Sequence, residues 1–283
     1  MSNFWNNLKF IDCHSHPQDK RYEREGVDVA LMLEELQTAG GATIAIGTDY
    51  EHSVSAIEVA NKHTNVWCTI GVHPADNHAE NFDERFFELH DNHKEKIVGV
   101  GECGLDYYYF NENTDAGTEK RRQKKLFEDQ IAFALEHDLP LVLHGRPTRN
   151  SMDAYRDMLS ILEETAKSLG HQAHKLRGHA HFFVGNLEIA KRFLNLGFLM
   201  SFDGPITYTN EYDEVINFLP LEAIMIETDS PYASPVPYRG QICKPQYVIH
   251  VAEKVAKIKS ISTEEVLEVT KSNAIRLFNL GVS

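Results

Sequence analysis

Eight short apolar runs, each followed by a longer stretch of helical periodicity, limit the fold of this chain more than any other feature. The runs fall at residues 9–13, 43–47, 66–70, 97–101, 141–143, 176–179, 197–201 and 223–226. Most are continuous rather than alternating, as in parallel strands covered on both faces. Apolar residues at helical spacing fill the gaps at 27–39, 51–63, 82–93, 119–137, 152–169, 187–196 and 211–218, and two further helices, 246–257 and 264–279, close the chain. Gly40-Gly41 stops the first helix, and Ser262-Thr263-Glu264-Glu265 opens the last with an N-cap and acids in its first turn. Eight strand–helix alternations predict an α/β fold, a closed (β/α)8 TIM barrel rather than an open doubly wound sheet. The length of 283 residues suits such a barrel, which takes roughly 250. No Pro/Gly/Ser-rich linker, repeat or low-complexity run interrupts the pattern, so residues 1–283 read as a single domain with closing C-terminal helices.

Composition narrows the function classes. A formal net charge of -14 argues against a broad electrostatic grip on duplex DNA or an anionic membrane, while leaving room for a small cationic pocket or a metal site. Cys13, Cys68, Cys103 and Cys243 are far apart and form no CxxC pair, and read as reduced thiols of a cytoplasmic protein. Residues 1–9 have no apolar signal-peptide core, and no stretch approaches the ~18 apolar residues of a membrane span. Gly99–Gly104 lacks the GxGxxG spacing of a dinucleotide loop.

In a (β/α)8 barrel the chemistry sits at the C-terminal ends of the strands. Strand 1 leads into His14 and His16, two residues apart and so able to face one point. Strand 3 leads into His73, strand 4 into Glu102 and then Asp106, strand 5 into His144, strand 6 into His179 and His181, and strand 8 into Glu227 and Asp229. Any one of these could be a hydrogen-bonded loop residue or a helix cap. Together, histidines and acids around one mouth can hold two divalent cations with a shared carboxylate, able to clamp a phosphoryl group and activate water. His52, His63, His78, His90, His93, His137, His171 and His174 fall on helices or polar loops and read as solvent-facing.

Several motifs resemble those of the TatD-type metal-dependent deoxyribonucleases of the amidohydrolase superfamily. They are Asp12-Cys13-His14-Ser15-His16, Gly71-Val72-His73-Pro74, Gly101–Tyr107, His181–Gly185, Glu227–Tyr232, Pro235–Gly240 and Asn273-Ala274, in the family's order. The resemblance implies a TIM barrel that hydrolyses DNA phosphodiesters, often from the 3′ end. It implies two divalent ions (Mg, Mn, Zn or similar), one held by His14, His16 and Asp229 and the other by His144 and His181, with Glu102 bridging. It also places His73 and Arg239 as contacts to the substrate phosphate. Three departures bear on the pocket wall: Pro17-Gln18 where the family usually has leucine, Gly145-Arg146-Pro147 for Ser-Arg-Asp/Glu, and Pro231–Pro235 for Pro-Tyr-Leu-Ala-Pro.

The expected mechanism is attack by a metal-activated water, with Asp229 taking its proton and Glu102 and His73 completing the catalytic set. Tyr107, Tyr108 and Tyr232 are candidates to stack on a terminal base. The expected partner is a DNA strand end or another phosphodiester; nothing in the sequence calls for a protein partner. The alternatives are a hydrolase of small amides, lactones or phosphoesters on the same scaffold, a mononuclear deaminase, and a non-catalytic binding barrel. A carboxylated lysine often bridges the metals in related hydrolases, but no lysine stands at a strand end near Glu102.

Overall fold

A computed structural model describes residues 2–75, 80–108, 110 and 115–281. Its eight strands are β1 (Phe10–Ser15), β2 (Gly41–Ala45), β3 (Val66–Ile70), β4 (Ile97–Asp106), β5 (Leu141–Arg146), β6 (Gly178–Ala180), β7 (Leu199–Phe202) and β8 (Ile224–Ile226). They form one sheet in sequence order, every neighbouring pair parallel, with helices between them. The (β/α)8 barrel expected from the alternation is the fold observed. No helix among the described residues is long and apolar enough to cross a membrane.

The helices are α1 (Ser2–Asn7), α2 (Lys20–Arg24), α3 (Val29–Thr38), α4 (Tyr50–Lys62), α5 (Glu84–His93), α6 (Ala116–Glu136), α7 (Asp153–Leu169), α8 (Leu187–Asn195), α9 (Asp213–Phe218), α10 (Val248–Lys259) and α11 (Thr263–Phe278). Short polar side chains start many of them. Asp28, Asp49, Asp115, Asn186 and Ser262 each accept a backbone N–H three residues on. Removing such a cap costs about 1 kcal/mol. Helices α1 and α2 are too short to carry a periodic signal and were not expected.

One apolar core lies between strands and helices, with Phe127, Tyr155, Phe183 and Phe193 among its large members. A second links Ile11, Ile44, Val98, Val142 and Met225 to Leu277 and Phe278 of α11, closing the N-terminal end of the barrel. His90 belongs with the buried residues (7% exposed), against the solvent position expected for it. Its ring packs on Phe133 and His137, so α5 turns an imidazole rather than an aliphatic side chain inward. His78 lies outside the described residues.

Two local features carry the fold into the site. Strand β4 runs past the expected end at 101 because residues 103–106 pair with 143–146 of β5, after a register irregularity between Val100 and Cys103. Gly101 sits in that irregularity at φ +151°, and a Cβ there would lie 2.6 Å from the Val142 carbonyl oxygen. Only glycine fits this combination of positive φ and close backbone approach. The other feature is closure. Between β8 and β1, Ser15 bridges Ser230, the Asp229 N–H donates to the His14 carbonyl (3.0 Å), and the His16 N–H donates to the Ser230 carbonyl (2.7 Å). The buried Asp12 carboxylate extends this seam, accepting the Thr228 N–H (2.9 Å) and hydroxyl (2.7 Å). The seam sets His14, His16 and Asp229 side by side.

Candidate metal centre

Glu102 stands at the centre, and its two carboxylate oxygens face different neighbours. Oε2 lies 3.4 Å from His14 Nε2. Oε1 lies 2.7 Å from His144 Nδ1, 2.8 Å from His181 Nε2 and 3.6 Å from His73 Nε2. Asp229 Oδ1 is 3.6 Å from His14 Nε2 and 3.3 Å from His16 Nε2. The strand-end residues expected as a ligand set are thus brought to one place, with His14, His16, Glu102 and His181 buried and His144 and Asp229 part-buried. Asp229 and Phe182 both take left-handed backbone angles here (φ 53° and 44°), a strain that surrounding structure must hold.

The outward nitrogen of each imidazole decides what its inward nitrogen offers. His16 Nδ1 donates to the Ile46 carbonyl (3.2 Å), which leaves the Nε2 lone pair facing Asp229 and His14. His181 Nδ1 faces Glu227 Oε1 (3.2 Å), which leaves Nε2 toward Glu102. His144 Nε2 faces Asp106 Oδ2 (3.0 Å), which leaves Nδ1 toward Glu102. Carboxylate and carbonyl partners of this kind orient metal-binding histidines. His73 differs: its Nδ1 accepts the Ala75 N–H (3.3 Å), so its Nε2 carries the proton and is a donor into the site.

Charge states follow from the crowding. Burial raises the Glu102 carboxyl, but His181 and His73, with hydrogen bonds from His14 and His144, outweigh it and hold the group well below the usual carboxylate range. Burial works against a charged His144, yet Asp106 and Glu102 push it up to about 9. For His14, burial and the neighbouring His181 win and lower the pKa. The Nε2 atoms of His14 and His16 stand only 3.2 Å apart, and the His14 and His181 rings stack at 3.8 Å. Imidazole nitrogens and carboxylate oxygens packed this closely form a donor set suited to divalent cations, and three such groups (His14, His16, Glu102; His14, His181, Asp229; Glu102, His144, His181) share members.

These groups open into a cavity of about 590 Å³ lined also by Gln18, Thr48, His52, Arg146 and Tyr232. Arg239, expected at the substrate phosphate, is not among its lining residues; its guanidinium lies over the Tyr208 ring at 4.1 Å. The arginine at the cavity wall is Arg146, stacked on Tyr108 at 4.1 Å. Tyr107 is fully buried and donates to Asp157 (2.9 Å), so it presents no face to a base, whereas Tyr232 is 42% exposed at the mouth. Sequence reasoning gave no role to Asp106 and Glu227, the acids behind His144 and His181. The available signal was position: both are acids at strand ends already rich in ligands.

The TatD related DNase family model matches residues 11–279. The chain belongs to the TatD family. It is 32% identical to the uncharacterized metal-dependent hydrolase YabD of Bacillus subtilis over 275 residues, covering 96% of this chain and 99% of that one. It is likewise 32% identical to the uncharacterized metal-dependent hydrolase YcfH of Escherichia coli K12, covering 96% and 97%. The crystal structure of YJJV, a TatD homolog from Escherichia coli, superposes with a TM-score of 0.81 at 25% identity, covering 97% of this chain and all of that one (100%). The chain is therefore a metal-dependent hydrolase of the TatD family.

Two residues of the pocket wall singled out in the sequence have clear structural surroundings. Gln18 donates to the Ile46 carbonyl (2.6 Å), the acceptor that also orients His16, so it braces a site residue. At Gly145, where the resemblance led to an expected serine, a Cβ would lie 2.4 Å from the Tyr155 ring. Tyr155 is held in turn by the Val184 N–H (3.1 Å).

Proposed function

We propose that this chain hydrolyses phosphodiester bonds of DNA, taking a strand end into the cavity and releasing nucleotides from the 3′ end. The observation that carries the reading is the division of Glu102, one oxygen toward His14 and the other toward His144 and His181. That is the placement of a carboxylate shared by two cations. His14, His16 and Asp229 would hold one divalent ion and His144 and His181 the other, with Glu102 serving both. Bound there, two such ions supply a water of lowered pKa and neutralise charge on the phosphoryl group.

The side chains do the remaining work. Asp229 lines the cavity and takes the proton of the attacking water. His73 donates from Nε2 to a phosphoryl oxygen, a charge that grows in the transition state. Arg146 adds a cation at the wall. The cavity lies within the roughly 300–1,000 Å³ of small-ligand sites, which favours a single frayed nucleotide over intact duplex. A chain of net charge -14 likewise suits a strand end better than a wrapped duplex. Against hydrolysis of small amides or lactones through a carboxylated lysine, no lysine lines the cavity among the described residues.

The test is a panel of end-labelled single- and double-stranded DNA and RNA with Mg, Mn, Co or Zn, beside the Asp229→Asn variant. Stepwise loss of 3′ label from DNA by the wild type alone is the expected result. Absence of cleavage with every metal, together with turnover of an amide or lactone panel, would overturn the reading.

A further inference from the structure

A second and larger cavity, of about 1470 Å³, opens at the N-terminal end of the barrel, among the starts of β3 and β4, the residues before them and the end of α11. Its charge runs against that of the chain. Lys62, Lys94, Lys96, Arg177 and Arg276 line it, against only Glu95 and Asp138, in a molecule of net charge -14. Some of these cations are already engaged. Arg177 is tied to Asp138 (2.6 Å) and Lys94 to Asp91 (2.9 Å), and Arg276 holds the Glu222 carbonyl (3.1 Å). Lys62 and Lys96 have no carboxylate partner among the described residues. The half-buried Lys96 ammonium donates to the carbonyls of His63 (2.9 Å) and Val66 (3.1 Å) and makes no ion pair, with the Glu95 carboxylate acting on its charge from further off. Such a cation calls for an anion.

The same wall is aromatic and unsatisfied. The Trp5 and Trp67 rings stand 5.7 Å apart, tilted by 39°. His90 and His137 have ring centroids 4.3 Å apart; His90 Nδ1 faces the Asp91 carboxylate at 3.7 Å, while the buried His137 Nε2 has no hydrogen-bond partner among the described residues. Buried polar atoms of this kind are uncommon and ask for an occupant able to pair with them. Lysines and an indole lining one cavity are the chemistry that recognises a phosphate attached to an aromatic base.

We propose that this cavity binds a nucleoside monophosphate, its phosphate at Lys62 and Lys96 and its base against the part-exposed Trp5, which is backed by the buried Trp67. The site is separate from the metal centre, and the inference stands without the nuclease reading. The chain has two tryptophans and both line this cavity, so all indole emission reports on it. The test is titration of the full chain with AMP, dTMP, adenosine and inorganic phosphate, followed by tryptophan fluorescence. Saturable quenching by AMP and dTMP is expected, with adenosine and phosphate each far weaker. Lys62 is exposed, so Lys62→Ala and Lys62→Glu preserve the fold; each should weaken AMP by about tenfold or more, the worth of one charge-assisted hydrogen bond. Both should leave hydrolase activity unchanged, while Asp229→Asn should leave quenching unchanged. No quenching by either nucleotide, equal binding of adenosine or of phosphate alone, or wild-type AMP affinity in both Lys62 variants would overturn the proposal.

Discussion

Glu227→Gln separates support of the metal centre from support of the fold. Glu227 is fully buried and accepts from His181 Nδ1 (3.2 Å), from the Phe182 N–H (2.6 Å) and from the Ser201 hydroxyl. Glutamine is isosteric. Its carbonyl oxygen still accepts from His181 and Phe182, and its amide donates to the Ser201 hydroxyl oxygen, so all three partners keep a contact although the Ser201 hydroxyl gives up its acceptor. What is lost is charge. A hydrogen bond to a charged group is worth about 1.5–3 kcal/mol and a neutral one about 0.5–1.5 kcal/mol, so the bond that orients His181 weakens by roughly 1 kcal/mol. Losing such a support typically lowers metal affinity about 10–100-fold. The assay is calorimetric titration of metal-free protein with Mn or Zn, beside thermal unfolding of the same samples. Affinity should fall by at least about tenfold while Tm of the metal-free chain changes little. Unchanged affinity, or a loss that merely follows unfolding, would refute the reasoning. The variant has a pH signature as well. Burial raises the Glu227 carboxyl, but His181, helped by His14 and His179, holds it at about 2 against an ordinary 4.5. Its ionisation thus stabilises the metal-free fold above pH 4.5, and that stability is lost as pH falls toward about 2, a slope absent from Glu227→Gln.

Other outcomes follow from the same geometry. His179 is fully buried with neither ring nitrogen hydrogen-bonded, and burial, only partly opposed by Glu227, lowers it to about 3. The unfolded ring titrates near 6.5, so stability of the metal-free chain declines as pH falls from 6.5 toward 3; His179→Leu should flatten that decline in urea midpoints. His73→Ala should lower kcat by about 10²-fold with metal affinity intact, because it removes a donor rather than a ligand. Gly145→Ser should cost about 1–3 kcal/mol in chemical denaturation by driving a Cβ to 2.4 Å from the Tyr155 ring, and Tyr155→Leu should recover part of it.

What could be read from the chain depended on whether a residue's role was local. The strands announce themselves because a buried parallel strand must be apolar at every position, and the candidate ligands because chemistry in a barrel collects at strand ends. The extension of β4 to Asp106 could not be read, since a glycine-rich run has no strand propensity and its pairing with β5 is set across the sheet. Long-range partnerships were equally silent. Asp12 closes the barrel through Thr228, 216 residues away, and Asp106 and Glu227 are recognised only when His144 and His181 are seen against them. Arg239 was expected at the phosphate from the resemblance and Tyr107 at a base from its place near the mouth; Arg239 stacks on Tyr208 outside the cavity lining, and the buried Tyr107 hydroxyl donates to Asp157. His90 is polar yet buried because Phe133 and His137 accept its ring.

The central claim is that two half-sites sharing Glu102 act together on a phosphodiester. Its most direct measurement is the number of divalent ions bound per chain, followed against the rate of cleavage of 3′-labelled single-stranded DNA as metal is added back to chelated protein. The account predicts two ions per chain and activity that rises with the second. Full activity at one ion per chain, or activity that survives chelation, would contradict it.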